Sequence, residues 1–259
     1  MTQTVGWNTF VDTRAQAEHQ RLRLLEQSFD PFSFRQLESL GVQPGWRCLE
    51  VGAGAGSVAA KMAELAGPAN VVATDLSLAF LGPLAEQGVT VLHHDVTADD
   101  APGEFDVIHT RFVLEHLAER EAVIKRLGSW LTPGGWLLIE IGTTLPELSS
   151  HPATRQAMAV LSRVMTERVG TAPEWARTLP VPLEEAGLVD CAAEGAVLPA
   201  RGGQPLAGWL KGTIKLVEEH ALATGMLTRE VLDAAYAAYE MPSFVDYTWM
   251  TVAARGRRK

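Results

Sequence analysis

Residues Cys48 to Ser57 read Cys-Leu-Glu-Val-Gly-Ala-Gly-Ala-Gly-Ser, an apolar strand running into three alternating glycines and then a helical pattern. Glycine permits a tight turn and lets the backbone approach a ligand closely, while the first turn of the helix offers unpaired N–H groups. The order strand, glycine loop, helix is that of a nucleotide-type binding site on an open α/β sheet. A hydride-transfer dinucleotide fold needs Gly-x-Gly-x-x-Gly, and counting from Gly52 and Gly54 its third glycine falls on Ser57. A phosphate-binding P-loop ends in Gly-Lys-Ser/Thr, whereas the nearest lysine here is Lys61, inside the helix.

From residue 47 onward, short apolar runs alternate with helical periodicity, the mark of βαβ units and a parallel sheet. Strands are expected at Arg47–Val51, Val71–Asp75, Val89–Asp95, Phe105–Thr110, Trp136–Ile141, Val189–Leu198 and Tyr247–Ala254. Val58, Met62 and Leu65 predict the first crossover helix. Val113, Leu117, Ile124, Leu127 and Leu131 predict a longer one stopped by Thr132-Pro133-Gly134-Gly135. Ahead of the sheet a polar helix is expected over Asp12–Ser28, with a second starting at Asp30-Pro31 and ending near Gly41. After the fifth strand the spacing grows to about fifty residues, and helices over Pro152–Val169, Pro173–Ala186, Pro205–Thr224 and Thr228–Glu240 fill the gaps.

At 259 residues the chain suits one large domain: N-terminal helices over 1–44, a binding core over 45–142, cap helices with a sixth strand over 143–246, and a last strand with a basic tail over 247–259. The net charge is −9, and four of the 22 basic residues (Arg255, Arg257, Arg258, Lys259) sit in a tail expected to be solvated. So acidic a body disfavours nucleic acid and anionic membrane surfaces as partners. With only Cys48 and Cys191, no disulfide framework or cysteine metal site is expected, and no metal ligand set is assigned. The lack of a leader-like N-terminus or a long apolar run fits a cytoplasmic protein. Seventeen arginines against five lysines, with abundant Ala and Gly, point to a GC-rich bacterial source.

Glu50 places a carboxylate at the first strand tip, unsuited to a pyrophosphate and suited to a ligand with a cationic amino-acid end. Nineteen residues past Gly56, Thr74-Asp75-Leu76 ends the second strand, where Asp75 can accept both hydroxyls of a ribose. The third strand ends in His93-His94-Asp95-Val96-Thr97, a further carboxylate on the same rim. With Leu131-Thr132-Pro133-Gly134-Gly135-Trp136 downstream, residues 45–142 resemble the class I S-adenosylmethionine-dependent methyltransferases, in their branch acting on small molecules of natural-product biosynthesis.

The resemblance implies a doubly wound, seven-stranded, mostly parallel sheet with an antiparallel last strand and helical cap insertions over its carboxyl edge. It implies S-adenosylmethionine as cofactor, with Glu50, Gly52, Ala53, Gly54 and Gly56 around the methionine end, Asp75 on the ribose, and Leu76, Asp95 and Val96 at the adenine. Arg111 is a candidate for the methionine carboxylate. The implied reaction is methyl transfer to an O, N or C nucleophile of a small metabolite. A non-methylating cyclase on the same scaffold and a regulatory protein that senses the cofactor are the alternatives.

After the fourth strand the chain reads His109-Thr110-Arg111-Phe112-Val113-Leu114-Glu115-His116. It lacks the Asp/Asn-Pro-Pro-aromatic tetrad of nucleic-acid amino-methyltransferases, and neither cysteine follows a proline, as a cytosine C5 nucleophile would. His109 and His116 are the candidate catalytic bases, His116 at the edge of the expected helix's apolar face. Met158, Met165, Trp175, Trp209, Met226, Tyr236, Tyr239, Met241, Phe244 and Tyr247 in the added region suit a pocket for a neutral or cationic, partly aromatic acceptor. Met158, Leu161 and Met165 at i, i+3, i+7 equally suit an ordinary core face.

Overall fold

The structure, a computed structural model, describes residues 15–259. The part of the expected first helix before Ala15 lies outside the described residues. In chain order the elements are α1 (Ala15–Ser39), β1 (Cys48–Val51), α2 (Ser57–Ala66), β2 (Val71–Asp75), α3 (Gly82–Glu86), β3 (Thr90–His93), β4 (Phe105–Arg111), α4 (Arg120–Ser129) and β5 (Leu131–Thr144). There follow α5 (Pro152–Val164), α6 (Val181–Glu185), β6 (Val189–Val197), β7 (Ala200–Arg201), α7 (Pro205–Ala223), α8 (Arg229–Glu240), β8 (Val245–Asp246) and β9 (Trp249–Arg257).

Seven strands form one sheet in the order β3-β2-β1-β4-β5-β9-β6, and β1 pairs in parallel with both β2 and β4. The pairs β2–β3 and β4–β5 are parallel too. β9 runs against β5: Gly134 N–H donates to Arg258 O beyond the end of β9, while Leu145 N–H donates to Thr248 O before its start. The doubly wound, mostly parallel sheet expected from the sequence is what forms. Parallel strands are covered on both faces, which is why Cys48 to Val51 are all buried.

The chain divides into two compact units. The sheet unit comprises Asp30–Ile141, Trp175–Gly195 and Val252–Lys259. Its α2 is amphipathic, turning Val58, Ala59, Met62, Ala63 and Ala66 inward. The helical unit comprises the described residues up to Phe29, Gly142–Glu174 and Ala196–Thr251. Within it α5 packs on α7 and α8, and α7 on α8. Its core holds Phe29, Met158, Leu161, Trp209, Ile214, Leu232 and Tyr239. Phe29, Trp209 and Trp249 cluster there, with Trp209 edge-on to both of the others at 5.2 and 4.7 Å between centroids.

Several local expectations are corrected. No second helix starts at Pro31; α1 continues through it, because burial of Phe29, Phe32 and Leu37 offsets the roughly 3 kcal/mol an interior proline costs. The long helix expected from Val113 is a 3-10 turn, Leu114–His116, followed by α4, since Val113 is used against the glycine loop and Phe112 takes a positive φ of 56°. His116 therefore lies in that turn and not on a helix face. Thr132 to Gly135 belong to β5, where Gly135 O accepts from Arg258 N–H. That bond also corrects the solvated tail: β9 extends to Arg257, whose guanidinium holds Asp190. Pro173–Ala186 forms two short helical pieces, and the β7–β8 ribbon carries no clear sequence signal.

Candidate functional site

The chain winds outward from β1 through β2 to β3, then crosses back to β4 and β5 on β1's other side. A crevice opens at such a switch point, outside the carboxyl ends of β1 and β4, and the glycine loop lies there. Gly52, Gly54 and Gly56 have φ of +74°, +59° and +98°, a region that L side chains avoid. A Cβ on Gly52 would lie 2.3 Å from Val113 Cγ2, so glycine is required by space as well. Gly52 and Ala53 N–H both donate to Thr74 O, tying the loop to the end of β2.

Asp75 completes that tie. Gly54 N–H donates to its Oδ2 and Ser77 N–H to its Oδ1, each at 2.9 Å. Partial burial pushes its carboxyl above the ordinary range against the pull of these N–H groups. Beside it Leu76 and Leu78 are 43% and 39% exposed, an apolar strip next to a ribose-type acceptor. Asp95, past β3, accepts from Thr97 Oγ1 at 2.6 Å and Thr97 N–H at 2.8 Å, which hold its carboxyl below the usual value, and Val96 is buried. The glycine cradle, the carboxylate for a diol and the exposed leucines fit an adenosyl amino acid.

Behind the loop lies a buried polar chain. His109 on β4 is fully buried, its Nδ1 2.7 Å from Glu50 Oε2 and its Nε2 3.2 Å from Glu140 Oε1. Burial opposes charge on the ring, but Glu50 and then the bonds to both carboxylates outweigh it and push its pKa to about 9. The ring is an imidazolium at neutral pH, donating from both nitrogens. Glu50 itself is raised, by burial first, with His109 and Arg111 pulling the other way. Glu140 Oε2 accepts from Ser33 Oγ at 2.8 Å, and Ser33 Oγ accepts from Arg111 Nη1 at 2.8 Å. Arg111 Nη1 also donates to Asp30 Oδ1 at 3.0 Å, and that oxygen accepts from Ser57 Oγ at 2.8 Å.

Glu50, Gly52, Ala53, Gly54, Gly56, Asp75, His109 and Arg111 thus meet around one loop. His116 is half-buried in its turn. His94 Nε2–H donates to Asp100 O, and His151 packs on Phe244 at 4.5 Å. Among the described residues no three His, Cys, Asp or Glu side chains are grouped to hold a metal ion. Sequence reasoning missed Glu140, Ser33, Asp30 and Ser57. Glu140 was findable as the one charge in the apolar run Trp136 to Ile141. The other three sit on or beside helices, and nothing in the sequence marks what they face.

A methyltransferase-domain family model matches residues 11–189. Methyltransferase str2 of Strobilurus tenacellus is 31% identical over 179 residues, 65% of this chain and 62% of that protein. Trans-aconitate 2-methyltransferase of Deinococcus radiodurans is 27% identical, covering 66% of this chain and 70% of its own. Among solved structures, Haemonchus contortus phosphoethanolamine N-methyltransferase 2, in complex with phosphomonomethylethanolamine and S-adenosylhomocysteine, superposes with a TM-score of 0.62 at 19% identity. It covers 99% of this chain and 61% of that one. The chain thus spans somewhat under two thirds of the length of the first and third of these proteins.

Proposed function

The chain belongs to the class I S-adenosylmethionine-dependent methyltransferases, and on that premise we propose that it moves the methyl group of S-adenosylmethionine to an oxygen, nitrogen or carbon of a small molecule. The observation that carries this reading is Asp75, at the tip of β2, bonded through its carboxylate to the backbone of the central loop glycine at the sheet's switch point. When bound, the cofactor supplies an already activated methyl on a sulfonium. The protein's own contribution is to bind, orient and exclude water.

Asp75 takes the ribose hydroxyls, Leu76, Asp95 and Val96 the adenine, and Gly52 to Gly56 with Ala53 the methionine end. Five groups of the buried chain carry charge when ionised. Asp30, Glu50 and Glu140 oppose only His109 and Arg111, and the acidic surplus behind the loop favours a cationic ligand. Arg111, already engaged with Asp30 and Ser33, acts by holding Ser57 at the start of α2 and not by reaching the ligand. His109 has no free ring nitrogen with which to take a proton from a substrate. His116 is the remaining candidate base, needed only if the acceptor is protonated at neutral pH.

Relatives named for trans-aconitate and phosphoethanolamine support a small-molecule acceptor, and the acidic composition supports a neutral or cationic one. The bacterial setting is supported by the arginine-, alanine- and glycine-rich composition, the secondary-metabolism role by the resemblance to natural-product methyltransferases, and a cytoplasmic location by the two unpaired cysteines. No described helix is long and apolar enough to cross a membrane. The test is calorimetry with S-adenosylhomocysteine followed by transfer of isotopically labelled methyl to candidate acceptors. Wild type is expected to bind, and Asp75→Ala to lose about 1.5 to 3 kcal/mol, roughly ten- to a hundredfold in affinity, while staying folded. Unchanged affinity in that variant removes Asp75 from the site, and a wild type that binds but moves no label to any acceptor overturns methyl transfer.

A further inference from the structure

The loop Gly52–Gly56 is flanked by Glu50 on one side and Ser57 on the other, and the buried polar chain connects these two residues without passing through the loop. It runs from Glu50 through His109, Glu140, Ser33, Arg111 and Asp30 to Ser57, with every link between 2.7 and 3.2 Å. The route crosses β1, β4, β5, α1 and α2, and every residue on it belongs to the sheet unit. Its first half is buried, with His109, Glu140 and Ser33 at 0% exposure and Glu50 at 2%, and Arg111 and Asp30 are part-buried. So many charges buried together do not arise as core filling, because apolar residues of similar volume stabilise a core equally well or better.

We propose that His109 is a positioning residue for cofactor binding: by donating to Glu50 and Glu140 at once, it fixes both ends of the glycine loop through one buried hydrogen-bonded chain, and it makes Asp30 and Ser33 of α1 part of the cofactor site. The inference rests on the function proposed above. The imidazolium is the one group in the chain that bonds two carboxylates on different strands. A neutral imidazole has a single N–H and must release one of them. The released carboxylate is then buried without a donor, and the end of the loop it holds loses its anchor. The groups that bond and act on His109 are Glu50 from β1 and Glu140 from β5; Ser33 of α1 bonds Glu140, and Arg111 and Asp30 follow further along the chain.

The experiment measures S-adenosylhomocysteine affinity by calorimetry between pH 6.5 and 10 for wild type, His109→Asn, His109→Gln and Ser33→Ala, with thermal unfolding followed in parallel. Asparagine places its amide near the Nδ1 position facing Glu50, and glutamine places its amide near the Nε2 position facing Glu140. Affinity is expected to fall at least tenfold in His109→Gln and less in His109→Asn, because the Asn variant keeps the bond nearest the loop. Ser33→Ala, a small change remote from the ligand, is expected to weaken binding about threefold.

The ligand's own amino group titrates in this range, so the ratio of wild-type to variant affinity is the readout. That ratio should shrink as the pH rises past 9, where wild type loses the proton that the variants never had. Folded variants with wild-type affinity and an unchanged pH profile overturn the proposal, as does glutamine binding better than asparagine. Lower melting temperatures with unaltered affinity reduce the chain to scaffold and overturn it too. If neither His109 variant folds, Ser33→Ala decides alone. A wild type that binds no S-adenosylhomocysteine at any pH refutes the function proposed above instead.

Discussion

Both units bury charged side chains, such as Asp246 in the helical unit and Glu50, His109 and Glu140 in the sheet unit, but their cores are built on different contacts. The helical unit packs large apolar side chains against one another: Met158 is at 0% exposure, Tyr239 and Phe244 at 2%, and Trp209 at 3%. The sheet unit buries an ionic chain beside its aliphatic strands and keeps three glycines in conformations that other residues resist. A core of the first kind is filled for stability, whereas one of the second kind retains charges that a purely structural core has no use for. Substitutions in the helical unit should therefore be read mainly in melting temperature, and those in the sheet unit mainly in ligand affinity.

The strongest test of that contrast is Trp209→Ala. Truncating a buried tryptophan that packs edge-on against Phe29 and Trp249 should cost about 3 to 5 kcal/mol of stability, seen as a large drop in the denaturant midpoint. Gly52→Val is its counterpart in the sheet unit, combining a positive φ with overlap against Val113. Its folded fraction should bind S-adenosylhomocysteine too weakly for calorimetry to detect. Tight binding by that variant would erase the distinction between the units.

Next in size is the pH dependence of stability. The folded His109 titrates at about 9, above its ordinary 6.5, so its stabilisation is complete below pH 6.5, declines as the pH rises and is gone above 9. Roughly 3 kcal/mol is at stake by linkage. The raised carboxyls of Glu50, Asp30 and Asp75 act in the same direction, since each binds its proton more tightly in the fold and so favours the folded state as the pH falls. Urea midpoints should fall steadily from pH 6.5 to 9 in wild type and stay nearly level in His109→Gln. A level wild-type profile would mean that the buried ring is neutral.

The sheet was legible in the sequence because parallel strands are short, apolar and separated by helical periodicity; Val71–Asp75 falls where the pattern puts it. Among the expected strand-tip carboxylates Asp75 does end β2, whereas Glu50 lies one residue inside β1 and Asp95 two residues past β3. Three things were not legible. Pro31 looks like a helix start locally, and only tertiary burial of Phe29 and Phe32 carries α1 through it. The apolar run after Val113 has helical spacing, yet Val113 belongs to the glycine loop and Leu114 to a turn. The partners of His109 lie 59 and 31 residues away in sequence, a pairing that spacing cannot show. In the added region most of the large aromatic and Met residues turned out to be core, while Met241 and Tyr247 are exposed at 52% and 45%.

The smallest expected effect tests the helical unit at its edge. Thr228 has extended backbone before α8, and its side chain accepts from Val231 N–H, three residues on, at 3.4 Å. That is the N-cap arrangement, satisfying one of the donors left open in a helix's first turn. The bond is long and exposed, so Thr228→Ala should cost no more than about 1 kcal/mol, and Thr228→Asp should recover it by placing a carboxylate at the positive end of the helix. Because α8 turns Leu232, Ala235 and Tyr239 into the unit's core, the loss should register as a shift of a few degrees in melting temperature. Affinity for S-adenosylhomocysteine should remain within a factor of two. An affinity change that tracks the cap substitutions in both directions would show that α8 contributes to the cofactor site, and the division between a stability unit and a binding unit would fail at that helix.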